Sequence, residues 1–130
     1  MKIMVGYNGS TAAHNALALA CKHAADTKAA IYIVASMGGG ASETAAKIGD
    51  ATAFLKEAES FVKTFKVPCE TFQLARGISP GEDLVRFAED NGIDHVYLGI
   101  EIISRTRKIL LGSTAQFVIL KAPCPVTTTK

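Results

Sequence analysis

The feature that most constrains the fold is a short segment, Ala30–Ser36, in which apolar, β-branched and aromatic residues follow one another without alternation. A strand with one face in water alternates between apolar and polar residues, whereas a strand that is covered on both faces does not. The segment therefore predicts a strand that is buried on both faces. Such strands are typical of parallel sheets with helices packed on either side.

The rest of the chain repeats this strand and separates its copies by helical patterns. Apolar segments predict four further strands, over Lys2–Gly6 and residues 68–75, 94–99 and 124–129. Between them, apolar residues recur at steps of three and four, as on one face of a helix. A mostly polar stretch up to Gly112 carries no predicted element. The order βαβαβαβαβ predicts an α/β fold, a doubly wound parallel sheet with helices on both faces. Sheets of this kind bind ligands beyond the carboxyl ends of their strands, where the strand order reverses.

Composition limits the kind of protein that this can be. The chain has 130 residues, of which 48% are apolar, and a net charge of +2. This size predicts a single domain over residues 1–130 with a core of its own. The small net charge argues against nucleic-acid binding, and no apolar run approaches the ~20 residues of a membrane span.

The cysteines and the first residues bear on the compartment. Three cysteines, widely spaced, fit neither a disulfide framework nor a zinc site. Met1 and Lys2 lead directly into the first strand, without the pattern of a secretory signal. We therefore expect reduced, buried thiols, no metal site and a cytoplasmic location.

One catalytic motif is present but fails on chemical grounds. Residues 77–81 fit the G-x-S-x-G nucleophile elbow, with Ser79 as the nucleophile. The elbow needs the backbone N–H of the next residue, and Pro80 has none. A helix start explains the segment better, with Ser79 as N-cap, Pro80 as first helical residue and Glu82 completing a capping box.

The segment between the fourth strand and the last helix is the strongest candidate for a ligand site. It leaves the strand at Gly99 and enters the helix through Gly112 and Ser113. Three cations lie between these ends: Arg105, Arg107 and Lys108. A helix N-terminus binds anions, and glycine allows close approach to the backbone. Ser113 with Gln116 also fits an ordinary capping box, so the residues alone leave both interpretations open.

This arrangement resembles the universal stress protein family, whose ATP-binding members carry G-x2-G-x9-G-[ST] after the fourth strand. Gly99, Ile102, Gly112 and Ser113 fall at that spacing. The turn at residues 8–10 is similar to the family's D-G-S turn, and the last helix and strand resemble its closing elements. The resemblance covers essentially the whole chain. It implies strand order 3-2-1-4-5 and a fold like that of the adenine-nucleotide alpha hydrolases.

The resemblance also implies a nucleotide site. Carried over by position, its residues are Gly6, Asn8 and Ser36 for the nucleoside and Gly99, Gly112, Ser113 and Thr114 for the phosphates. Asn8 replaces the family's turn aspartate, Ile102 replaces the second glycine of the phosphate loop, and Glu101 places an acid nearby. We therefore expect a partly eroded site for ATP or AMP, with Mg²⁺ accompanying ATP.

Two functions are compatible with these features. The first is a stress-response regulator that binds an adenine nucleotide, has no catalytic residues of its own and hydrolyses ATP weakly at most. The second is a dimeric interaction module of the same fold that binds no nucleotide. The resemblance implies a homodimer through the C-terminal strand, and either function would involve a protein partner that the sequence does not name.

Overall fold

A computed structural model of the chain describes residues 1–38, 44–104 and 110–130. The elements in these ranges are β1 (Lys2–Gly6), α1 (Thr11–Thr27), β2 (Ala30–Ser36), α2 (Ala45–Lys63), β3 (Cys69–Leu74), α3 (Pro80–Asp90), β4 (His95–Gly99), β5 (Ile102–Ser104), β6 (Leu110–Leu111), α4 (Ser113–Lys121) and β7 (Val126–Thr129). None of these helices is both long and apolar enough to cross a membrane.

The main sheet has five parallel strands in the order β3-β2-β1-β4-β7. Counted over the five strands of this sheet, the order is 3-2-1-4-5, which confirms the expectation. At the end of β1, Gly6 lies beside Val34 of β2 and Leu98 of β4. The strand order reverses between β1 and β4, so this edge is where the fold is expected to hold a ligand.

Both faces of the sheet are buried, as the lack of alternation in Ala30–Ser36 predicted. On β1, Ile3 and Val5 pack into one apolar cluster with α1 and α2, and Met4 packs into a second with α3 and α4. All three side chains are fully buried. Burying a side chain of this size contributes about 1.5–3 kcal/mol to stability. Because successive side chains of a strand point to opposite faces, this burial on both faces fixes which helices pack on which face of the sheet.

The stretch before Gly112 differs from the prediction of a segment without secondary structure. It contains a small antiparallel pair, β5 and β6, in which Ile102 lies opposite Leu111. Strands of three and two residues are too short to show a period of two in the sequence. The predicted cations at 105, 107 and 108 lie outside the described residues.

Several local expectations can be compared with the structure. Ser79 is the N-cap of α3 and Pro80 its first residue, but the Ser79 side chain makes no capping hydrogen bond, so the predicted capping box is wrong. Of the three cysteines, Cys21 is buried, whereas Cys69 and Cys124 are only half-buried. Both half-buried thiols belong to the edges of the main sheet, since Cys69 begins β3 and Cys124 precedes β7.

Candidate functional site

A cavity of about 430 Å³ opens at the carboxyl ends of β1, β2 and β4. Its apolar wall is formed by Val34, Leu84 and Leu98. The structure brings all seven residues of the implied site around this one cavity: Gly6, Asn8, Ser36, Gly99, Gly112, Ser113 and Thr114. The volume is within the range of small-molecule sites, ~300–1,000 Å³.

The start of α4 forms one end of the cavity. Gly112, not Ser113, is the N-cap, and because glycine has no side chain, the cap supplies no acceptor for the first N–H groups. Gln116 turns away, and its Nε2 donates to the Leu111 carbonyl oxygen at 2.7 Å. The alternative of a Ser113–Gln116 capping box is therefore wrong. A Cβ added at Gly112 would meet no atom within 4 Å, so the protein itself does not require glycine there. The uncapped amides and open space suit an anion.

Gly99 has a different reason for being glycine. A Cβ at this position would lie 2.6 Å from the Ala12 carbonyl oxygen and nearer still to the Ala13 nitrogen. The backbone of α1 therefore packs directly on β4 at this point. Gly99 lines the cavity, but its lack of a side chain is already explained by the fold.

The turn after β1 places Asn8 at the mouth of the cavity. The Asn8 Oδ1 accepts a hydrogen bond from the Ser10 N–H at 3.0 Å, and the Ser10 Oγ in turn caps α1 at the Ala13 N–H. Gly9 has φ +80° and packs against the Phe54 ring, which explains the glycine of the turn. With Oδ1 engaged, Asn8 offers a ligand its amide N–H group, where an aspartate would offer an anionic oxygen.

A buried polar cluster lies behind Ser36. Asp83, in the first turn of α3, is 0% exposed. Its Oδ2 accepts from the Ser36 hydroxyl at 2.7 Å, and its Oδ1 accepts from the Arg76 Nε at 2.6 Å and also pairs with Nη2. Sequence reasoning missed Asp83 and Arg76, because an acid in the first turn of a helix usually faces solvent and stabilises the helix dipole. The one signal available in the sequence was the position of Asp83 directly before Leu84, which belongs to the apolar face of α3.

The acidic and bulky residues expected near the phosphates lie directly after β4, where the chain leads into β5. Glu101 is exposed and lines the cavity. Ile102, half-buried, occupies the position of the family's second glycine and belongs to β5. A strand residue paired with β6 cannot form the close glycine turn of a phosphate loop at this point.

A second cavity of about 450 Å³ adjoins the first and shares Tyr7, Asn8 and Ser36 with it. Its outer wall comes from α2, with Lys47 at the rim. Burial raises the pKa of Tyr7, with a smaller contribution from the charge of Glu57, so this phenol stays protonated at neutral pH.

The histidines lie away from the cavity. His95 stacks on Tyr97, and its Nε2 is 2.7 Å from the Thr127 hydroxyl, while His23 Nδ1 contacts the Tyr97 hydroxyl. Burial, and then the nearby His23, lower the pKa of His95. Among the described residues, no three acidic, histidine or cysteine side chains group as metal ligands would.

Comparison with known proteins identifies the family. The model of the Universal stress protein family matches residues 1–130. A universal stress protein from Archaeoglobus fulgidus is 33% identical, with a TM-score of 0.92 over 100% of this chain and 98% of that one. Another structure, the universal stress protein from Archaeoglobus fulgidus in complex with dAMP, is 30% identical, with a TM-score of 0.85 over 100% and 98%.

The UspA protein of Lactobacillus plantarum, 23% identical, has the same fold with a TM-score of 0.84 over 100% of this chain and 97% of that one. A comparison with curated proteins gives no match. The likeness to the two Archaeoglobus fulgidus structures extends over the whole of this chain. The family match and the 33% identity together show that this chain belongs to the universal stress protein family.

Proposed function

We propose that this chain is a single-domain stress-response regulator of the cytoplasm that binds an adenine nucleotide, AMP or ATP, in the cavity at the carboxyl ends of β1, β2 and β4. The observation that carries the proposal is the start of α4. Its uncapped N–H groups and the open space at Gly112 form an anion site at one end of a cavity whose wall is apolar. The dAMP complex of a relative that is 30% identical supports an adenine nucleotide as the ligand.

The site is partly eroded, and the erosion favours a monophosphate. Glu101 brings a negative charge to the phosphate end, and Ile102 occupies a strand where a phosphate loop would need glycine. Each further phosphate adds negative charge near Glu101, so ATP is repelled more than AMP. Mg²⁺ would enter only together with ATP, where it would offset part of that charge.

Ligand-induced stabilisation tests the proposal. A ligand that binds only the folded state at 100 times its Kd adds about 2.7 kcal/mol to the free energy of unfolding. Millimolar AMP should therefore raise the Tm clearly, and ATP with Mg²⁺ should raise it less. If neither nucleotide raises the Tm, the proposed function is wrong. A larger Tm shift with ATP than with AMP would contradict the proposed preference for a monophosphate.

Gly112→Asp is the variant that separates binding from folding. Aspartate is a favoured N-cap, and the space at Gly112 is open, so the Tm without ligand should stay at or above that of the wild type. The added carboxylate would repel a phosphate and occupy its N–H groups, so the shift with AMP should disappear. Gly49→Asp on the exposed face of α2 adds the same charge and should keep the shift.

We further propose a homodimer through β7. The carbonyl oxygens of Pro125 and Thr129 accept hydrogen bonds from Val96 of β4 and from Ile100 directly after it. The alternation of a parallel pair therefore turns the backbone of Val126 and Thr128 outward. β7 is the last strand of the five-stranded sheet, and such an edge pairs readily with another strand. Leu120 on the preceding helix α4 is 77% exposed and would gain cover in a dimer.

The second candidate is a dimeric interaction module that binds no nucleotide. The exposed Leu120 and the outer edge of β7 favour it, because both are suited to contact with another protein and neither lines the cavity. Native mass spectrometry of freshly purified protein distinguishes the two functions. A dimer that carries adenine nucleotide supports the first, and a dimer without nucleotide that also shows no Tm shift supports the second.

A further inference from the structure

The cluster of Ser36, Asp83 and Arg76 has a consequence for ligand selection that depends on the proposed nucleotide site. The Asp83 carboxylate is fully buried, and both of its oxygens are engaged, Oδ1 by the Arg76 guanidinium and Oδ2 by the Ser36 hydroxyl at 2.7 Å. Arg76 Nη2 also donates to the Asp83 backbone oxygen at 3.3 Å. The ion pair with Arg76 and the hydrogen bond from Ser36 therefore hold the Asp83 side chain in a fixed position.

A carboxylate has no hydrogen to donate, so Ser36 must be the donor in its hydrogen bond with Asp83. A hydroxyl has one hydrogen, and here that hydrogen points away from the cavity. Ser36 lines the cavity, and with its hydrogen engaged by Asp83 its oxygen keeps only lone pairs for a ligand. Towards a ligand, Ser36 is thus a hydrogen-bond acceptor only.

Ser36 also lies at the end of the cavity that a nucleobase would occupy. The phosphate end is at α4 and Gly99 of β4, and β2 is separated from β4 by β1. Two strand spacings amount to roughly 10 Å, comparable to the distance from the base to the phosphate in a nucleotide. The apolar side chains of Val34 and Leu84 flank this region and suit a flat aromatic ring.

We propose that Ser36, oriented by Asp83 and Arg76, selects purines with a 6-amino group over purines with a 6-oxo group. The amino group of adenine donates to the Ser36 oxygen. The carbonyl oxygen of a 6-oxopurine would face the Ser36 lone pairs and leave both acceptors unpaired, which costs about tenfold or more in affinity. Ser36 contacts the base, whereas Asp83 and Arg76 are positioning residues.

AMP and inosine monophosphate test this inference, because they differ at purine position 6 and at the N1 proton that goes with it. Titration calorimetry on the wild type should give AMP about tenfold or more tighter than inosine monophosphate. Ser36→Ala should weaken AMP, because the acceptor is lost, and should bind inosine monophosphate at least as well as the wild type, because the opposing lone pairs are lost too, so the discrimination disappears. Ser60→Ala, on the exposed face of α2, is the matched control and should behave as the wild type.

Asp83→Asn provides a result that loss of stability alone would not give. The asparagine keeps the shape of the side chain, with Oδ1 towards Arg76 and its amide donating to Ser36. The Ser36 hydrogen is then free to point into the cavity, and inosine monophosphate should bind as well as or better than AMP. Equal binding of both nucleotides by the wild type, or unchanged discrimination in Ser36→Ala, overturns the inference alone. No binding of either nucleotide overturns the proposed function and the inference with it.

Discussion

Two glycines of one loop pattern should respond in opposite ways to the same substitution. In Gly99→Ala, the new methyl group would lie 2.6 Å from the Ala12 carbonyl oxygen, whereas non-bonded heavy atoms at their optimum lie about 3.5–4.0 Å apart. The obstacle is helix backbone, which cannot rotate away as a side chain can. The first turn of α1 and β4 must therefore separate by about 1 Å.

The magnitude follows from the cost of overpacking. Insertion of a methyl group into a packed site costs about 1–3 kcal/mol, and contact with backbone places Gly99→Ala at the upper end, about 3 kcal/mol. For a chain of this length, each kcal/mol corresponds to roughly 3–5 °C in Tm, so we expect a fall of about 10 °C or more. Gly112→Ala meets no atom within 4 Å and has an ordinary φ of −60°, so its stability should change by less than about 1 kcal/mol.

For nucleotide affinity, Gly112 is the informative position of the two. Gly112→Ala places a methyl group at the anion site and should weaken AMP by about tenfold while the protein stays folded. Gly49→Ala, in the second turn of α2 with open space around it, is the control and should stabilise by about 0.5–1 kcal/mol. Urea unfolding followed by circular dichroism gives the stabilities, and calorimetry gives the affinities. A Gly99→Ala protein as stable as the wild type would refute the packing argument.

Three further outcomes are expected. Because burial lowers the pKa of His95, the unfolded chain binds more protons at this residue as the pH falls, so the free energy of unfolding should decline below about pH 6.5. Urea unfolding across pH should show a smaller decline in His95→Gln and the wild-type decline in His14→Gln. Burial raises the pKa of Cys21 to about 12 and that of Cys69 to about 11. Iodoacetamide at pH 8 should therefore label Cys69 roughly 100-fold and Cys21 roughly 1,000-fold more slowly in the native protein than in guanidinium, and equal rates would contradict this. If the proposed dimer forms through β7, Thr128→Pro removes an outward N–H from its edge and should be a monomer in light scattering, whereas Thr128→Ala should remain a dimer.

The main sheet could be predicted from the sequence because its signal is spread over many residues. Four of the five parallel strands carry several apolar residues, and each helix between the strands repeats its apolar face over two turns or more. The pair of β5 and β6 could not be predicted, since its strands contain three and two residues. Pairing between such short segments depends on the turn and the neighbours, which leave no period in the sequence.

The cavity could be predicted only in part. The resemblance supplied the positions that line it, because family members share the strand ends and the start of the last helix. It did not supply the cluster behind Ser36. Arg76 and Asp83 meet only because the chain turns back at Gly77, with φ +75°, before α3 begins. A pair that depends on a turn geometry and on burial is invisible to a pattern of residue types.

Gly99 and Gly112 also show what a matching pattern can and cannot say about a ligand. Both occupy positions of the same family motif, yet the fold itself excludes a side chain at Gly99 and leaves the space at Gly112 open. A chain that had lost its nucleotide would still retain Gly99, because α1 packs against β4 there. Retention of Gly99 therefore carries no weight for nucleotide binding. Glycine at 112 is a weaker N-cap for α4 than serine or aspartate would be, and it allows no closer packing within the protein. Close approach of a ligand to the backbone is therefore the physical reason for a glycine at this position.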